Sequence, residues 1–243
     1  MDKSLKIAKM NVIDILKATG VFYCILLITL AALFAINANG SVSGLEVASI
    51  IFIFVCGLNS FKENFYFSQG NNISRKSFIG GVILSAFPIA IIMAIIDLLI
   101  NRVMNLFIPS PSLYDMGYTA LKNFDNGALH TEWIQSNGFT TVVNTILLSF
   151  VLYCFAYILG IVINLIYYRC NTLMKIAVSV IGGGILITWL SSDLNYGLFK
   201  VLERVLGIKT QNVYLAILSC ILMFIVLSGC IYRLIKTAEI KER

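Results

Sequence analysis

The chain has 243 residues, 59% of them hydrophobic and 12% charged, with a net charge of +6 and a mean hydropathy of +0.90. A soluble domain carries about a quarter charged residues, so this composition excludes an ordinary water-soluble globule and makes lipid the solvent for much of the chain. The positive charges flank apolar runs and gather into no single soluble patch, which excludes a nucleic-acid-binding surface as their explanation.

A spanning helix takes about 20 mostly apolar residues. Six runs meet this, at about 21–36, 45–60, 78–106, 140–168, 176–190 and 213–235. The second and fifth are short, and the third and fourth are long enough to tilt. An isolated strand would leave its backbone groups unpaired in lipid, so the runs are read as helices. The chain holds only 3 prolines, which suits long helices because proline removes a backbone donor. The predicted fold is an all-α membrane protein, one transmembrane domain over 1–243 with six transmembrane helices.

Ahead of the first run, residues 2–17 read as a helix with Leu5, Ala8, Val12, Ile15 and Leu16 on one face and Lys3, Lys6, Asp14 and Lys17 opposite. It is expected to lie in the inner interface with its lysines toward anionic headgroups; the other reading is a plain cytoplasmic extension of the first span. Ala35-Ile36-Asn37-Ala38 resembles a cleavage site, but the basic leader is long for a signal peptide and five more runs follow.

Between the second and third runs, 61–69 makes about two helical turns, Gly70-Asn71 is a natural helix stop and Ser74 can cap the third span. This segment exposes aromatic and charged groups on the inner face. It is a docking candidate, with an interfacial loop as the plain alternative. Asp97, in the outer third of the third span, has Arg102 five residues on. A buried carboxylate is costly unless paired, and a charge reaching the outer interface and pairing with Arg102 is the favoured reading over a polar point on a pathway. Asn144 and Asn164 in the fourth span can hydrogen-bond between helices, and Gly182-Gly183-Gly184 permits close approach or local unwinding. The longest outer loop, 107–139, carries Trp133 and the lone histidine, His130. A second outer segment, 194–207, has Leu194, Leu198, Val201, Leu202 and Val205 on one face, as an amphipathic or re-entrant helix would.

Basic residues set the orientation. With the N-terminus inside, Lys3, Lys6, Lys9, Lys17, Lys62, Arg75, Lys76, Arg169, Lys175, Arg233, Lys236, Lys241 and Arg243 fall on the inner side. Only Arg102, Lys122, Lys200, Arg204 and Lys209 fall outside or at the outer interface. Both termini are therefore expected in the cytoplasm.

Catalytic patterns are missing. There is no phosphate loop, no His-Glu-x-x-His and no serine paired with a histidine or lysine at matching depth, so the chain is read as a non-enzyme. The 6 cysteines include no Cys-x-x-Cys; five lie inside apolar runs and Cys170 ends one, so they are read as free small hydrophobes, not as metal ligands or a disulfide scaffold.

Three features together resemble a type-two ABC exporter permease, the membrane subunit of a bacterial ATP-driven exporter. They are the basic helix ahead of the first of six spans, the segment Gly70-Asn71-Asn72-Ile73-Ser74-Arg75-Lys76-Ser77-Phe78, and the amphipathic segment between the last two spans. The middle segment is similar to the family's G-x-S-R-K-x-F style with one extra asparagine. By length the chain is similar to small permeases that export phenol-soluble modulins and other amphipathic peptides. The resemblance implies a bacterial plasma-membrane location, a homo- or heterodimer of permeases, and a separate ATPase subunit that binds ATP and Mg. It implies docking of that ATPase through the 61–69 helix and the leading helix, with Phe61, Lys62, Glu63, Phe65, Tyr66 and Arg75 as the contact residues, while Asp97, Asn144 and Asn164 are candidate polar points on the path. No cofactor is expected in this chain. The competing class is a membrane carrier or scaffold without an ATPase; a carrier usually needs internal repeats and coupling-ion sites, and none stands out between the halves.

Overall fold

The computed structural model describes residues 3–36, 42–119, 136–170, 174–175 and 204–236. Every regular element among them is helical: α1 (Lys3–Ile36), α2 (Leu45–Ser60), α3 (Lys62–Gly70), α4 (Arg75–Met104), α5 (Leu113–Tyr118), α6 (Phe139–Arg169) and α7 (Val213–Lys236). Five of the helical stretches are long and apolar enough to cross a membrane, and they begin at Lys3, Leu45, Arg75, Phe139 and Val213. The chain is thus a multi-pass helical protein by length and composition. The predicted fifth span, 176–190, and all of the outer segment before 204 lie outside the described residues, as do His130, Trp133 and the three-glycine run.

The second, third, fourth and sixth predicted spans match α2, α4, α6 and α7 to within a few residues. The first does not. The segment 2–17 forms no separate interfacial helix; it continues into the first span as one 34-residue helix. The face expected to be buried is also rotated. Ile7, Ala8, Asn11, Ile15, Thr19 and Tyr23 are buried, while Leu5 is exposed. The physical reason is α4: Gly81 lets the two helices approach so closely that a Cβ there would stand 2.7 Å from the Ser4 carbonyl oxygen and 2.8 Å from Ile7 Cβ. That contact packs the start of α1 against α4.

α6 is the central helix. It packs against α2, α4 and α7, and α1 packs chiefly against α4. Its sequence is apolar on all sides, the pattern of a buried helix. It meets α2 at a glycine crossing. A Cβ at Gly57 would sit 2.2 Å from the Tyr157 carbonyl oxygen, and one at Gly160 2.3 Å from that of Phe54. Without a hydrophobic driving force between helices in lipid, such backbone contact is a main source of association. One proline, Pro88, does fall inside a helix, in the middle of α4, where it leaves the Leu84 carbonyl without its helical donor.

The caps read from the sequence are present. Asn72 takes a left-handed conformation (φ 52°) after α3, and the Ser74 side chain accepts from the Ser77 amide at the start of α4. One element was not anticipated: α5, held by a capping box between Ser112 and Asp115 within 107–139. It lies over the start of α2, where the Val42 and Gly44 amides donate to the Pro109 and Pro111 carbonyls. Tyr118 of α5 donates to the Leu206 carbonyl at 2.8 Å. Burial pushes the Tyr118 hydroxyl up to about 12, so it stays a donor at neutral pH.

These contacts sort the helix ends. Arg75, opening α4, donates to the Ile235 and Lys236 carbonyls that close α7, and Arg169, closing α6, donates to Leu234. The starts of α1 and α4 and the ends of α6 and α7 therefore share one end of the bundle, together with α3. That end carries Lys3, Lys6, Arg75, Lys76, Arg169 and Lys236. The opposite end, with α5, carries Arg102, Arg204 and Lys209 among the described residues.

Candidate functional site

Two buried polar clusters and one aromatic cluster stand in the seam between α1, α2, α4 and α6. In the half away from the basic end, Asp97 is 4% exposed. Its Oδ1 accepts from Tyr23 of α1 at 2.9 Å and from Ser49 of α2 at 3.0 Å, and its Oδ2 accepts from Tyr153 of α6. Three hydroxyls from three helices converge on one carboxyl group. Each of these hydrogen bonds satisfies a lone pair of the carboxyl group, which offsets part of the cost of burying it.

The expected Asp97–Arg102 pair is not formed. Arg102 turns outward and donates to the Ser136 carbonyl and, at 2.6 Å, to Asn137 Oδ1. The five-residue spacing carries the two side chains to different sides of α4, and Asp97 faces the seam.

Nearer the basic end, Asn11 donates to Ser85 at 2.7 Å and to the Tyr157 hydroxyl at 2.5 Å, and Asn64 donates to Asn11 Oδ1 at 3.2 Å. This second cluster joins α1, α3, α4 and α6. The two clusters sit 12 residues apart on both α1 and α4, about 18 Å along the bundle at the helical rise. The sequence reading missed Asn11, Tyr157 and Glu46. Asn11 was hidden because a single asparagine in an apolar stretch matches no motif. Glu46 begins α2, yet it is 2% exposed; its Oε1 accepts from the Leu113 amide at 3.3 Å and its Oε2 has no partner.

The other two polar candidates are engaged elsewhere. Asn164 donates to the Leu58 carbonyl of α2, and Asn144 to the Tyr114 hydroxyl of α5 at 3.3 Å. Both make the interhelical bonds expected of them, but neither joins Asp97 in one site.

The predicted docking residues divide. Phe61 and Phe65 are fully buried, with centroids 5.2 Å apart, and pack on Phe78 of α4 and Tyr168 of α6. Tyr66 stacks edge-on with Tyr168. Arg75 is occupied at the end of α7. In this conformation Phe61 and Phe65 are core residues of the fold and offer no surface to a partner. The helix period explains it: positions 61, 65 and 68 share the inward face, and Phe67, at 55% exposure, carries the outward one. The side chains of Lys62 and Glu63 lie outside the described residues.

All six cysteines are free, with Cys154, Cys170 and Cys220 buried and Cys24 and Cys230 exposed on α1 and α7. No protein-family model, curated protein or solved structure matches the chain.

Proposed function

We propose that the chain is the permease subunit of an ATP-binding-cassette exporter, moving an amphipathic or hydrophobic substrate, a peptide by preference, with a separate ATPase supplying the energy. The basic end of the bundle is then cytoplasmic, and two permease copies or a pair of related chains enclose the path. The observation that carries this reading is α3. It is a short helix at the basic end, linked through one aromatic cluster to α4 and α6 and through Asn64 to α1. A force applied to its outer face would reach three long helices at once. That is what a device coupling an external ATPase to a helix rearrangement requires, since a ligand on another chain can bias a two-state element only through contacts that differ between the states.

The docking surface in this reading is the outward face of α3, with Phe67 as its aromatic anchor. Removing a buried aromatic anchor commonly costs about 2 kcal/mol or more, near thirtyfold in affinity. The test is co-purification of an ATPase subunit with the tagged chain. The native chain retains it, and Phe67→Ala loses it while still inserting in the membrane. Undiminished ATPase retention by Phe67→Ala removes α3's outer face from the mechanism.

A second reading, an ion-coupled carrier, gains from Glu46. With Asp97 it makes a second buried acid in the same half of the bundle, one helical turn from Ser49 on α2. That reading needs transport that follows an ion gradient and continues without ATP.

A further inference from the structure

Two charged residues of α1, Asp14 and Lys17, lie between the levels of the two buried polar clusters and are exposed. The depth follows from the register of α1 on α4. Asn11 meets Ser85 and Tyr23 meets Asp97, a separation of 74 in both pairs. The two helices thus run parallel and in step, and the same offset puts Asp14 level with Pro88 and Lys17 level with Ile91. At the helical rise these levels stand about 20 and about 24 Å above Arg75, well into a hydrocarbon layer about 30 Å thick.

At that depth the other flank is built for lipid. Phe87 and Ile91 of α4 are exposed, and Phe87 packs on Phe224 of α7 with centroids 5.6 Å apart. The neighbouring Met223, Ile225 and Val226 are exposed at 54–60%. On the α1 flank, Asp14 and Lys17 are exposed beside the apolar Ile13, Ala18 and Val21. Lys6 and Lys9 lie closer to the basic end, and their long stems let the ammonium groups reach it. Asp14 has a single methylene and no such reach. A carboxylate and an ammonium facing lipid at mid-depth are costly, and charges at this level face a bundle interior or a water-filled cavity.

We propose that the α1 face carrying Asp14 and Lys17 borders a hydrated recess, open to the basic end and reaching to the middle of the bundle, and does not face lipid. The recess ends below Tyr23, where the Asp97 cluster closes the seam. This inference rests on the membrane reading alone, so its failure would leave the ATPase question untouched.

The first experiment uses the unaltered chain in lipid nanodiscs. A water-soluble carbodiimide with glycine ethyl ester modifies carboxylates that water reaches, and mass spectrometry counts them. Asp14 is expected to be modified at least tenfold more than Asp97, which has its three hydroxyl partners. Equal protection of both would overturn the proposal. The second uses single cysteines at Lys17 and Ile91, level with each other on opposite flanks, in a chain lacking the native thiols. An impermeant charged thiol reagent applied from the basic side is expected to react at least tenfold faster with Lys17→Cys than with Ile91→Cys. Equal rates would place lipid or protein against both and overturn it. Should the cysteine variants fail to assemble, the carbodiimide result on the native chain decides.

Discussion

Asp97 shows how one residue can hold a bundle together from inside. Its three hydroxyl donors come from α1, α2 and α6, so the acid and its partners succeed or fail as a set. Asp97→Leu leaves the Ser49 and Tyr153 hydroxyls without their acceptor and Tyr23 with only the Met93 carbonyl at 3.3 Å, and each orphaned group costs about 1–3 kcal/mol. Asp97→Asn keeps one carbonyl acceptor and is the milder change. Thermal unfolding in detergent is expected to rank native above Asp97→Asn above Asp97→Leu. A Leu variant as stable as the native chain would mean the cluster contributes nothing to the fold. The same logic separates two phenylalanines two residues apart. Phe65→Ala empties a fully buried position and is expected to cost about 3–5 kcal/mol, whereas Phe67→Ala, exposed, leaves stability within about 0.5 kcal/mol of native. Equal losses would show that α3 is turned the other way.

Helix existence was readable from the chain, because the apolar runs of α2, α4, α6 and α7 have no other way to satisfy their backbones in lipid. What could not be read was rotation and partnership. Asp97 and Arg102 look like a pair in one dimension, and only the packing of α4 against α6 shows that one faces the seam and the other leaves it. The start of α1 looked like a free amphipathic helix because its lysines are obvious, while its anchor is Gly81 on another helix and a lone Asn11. The aromatics of α3 were legible as a group but not by face; a turn of the helix decides which are core. At the level of elements, the α2–α6 crossing is the most exposed to test. Gly57→Leu or Gly160→Leu forces side-chain atoms into the facing backbone, which stands within 2.3 Å of an added Cβ at either glycine. Either variant is expected to lose monodisperse elution in detergent, and the double variant to be no worse than the worse single one, since one crossing is broken in both. Normal elution of both single variants would mean the crossing is looser than the packing indicates.

Across the whole molecule, the ends of the bundle differ in charge, and a cytoplasmic basic end is the orientation expected from that difference. Cysteines placed at Gly70 and Thr140, in a chain lacking the native thiols, are expected to label from opposite sides of the membrane with an impermeant reagent; labelling from one side would contradict the sorting of helix ends. In the exporter proposal α3 lies on the inner side, where ATP is found. Inside-out vesicles carrying the chain with its ATPase subunit give the most direct measurement, using a fluorescent amphipathic peptide as the probe. Uptake of the peptide is expected to require ATP and to fall to background with Phe67→Ala. Uptake driven by an ion gradient, undiminished without ATP or the ATPase, would contradict it.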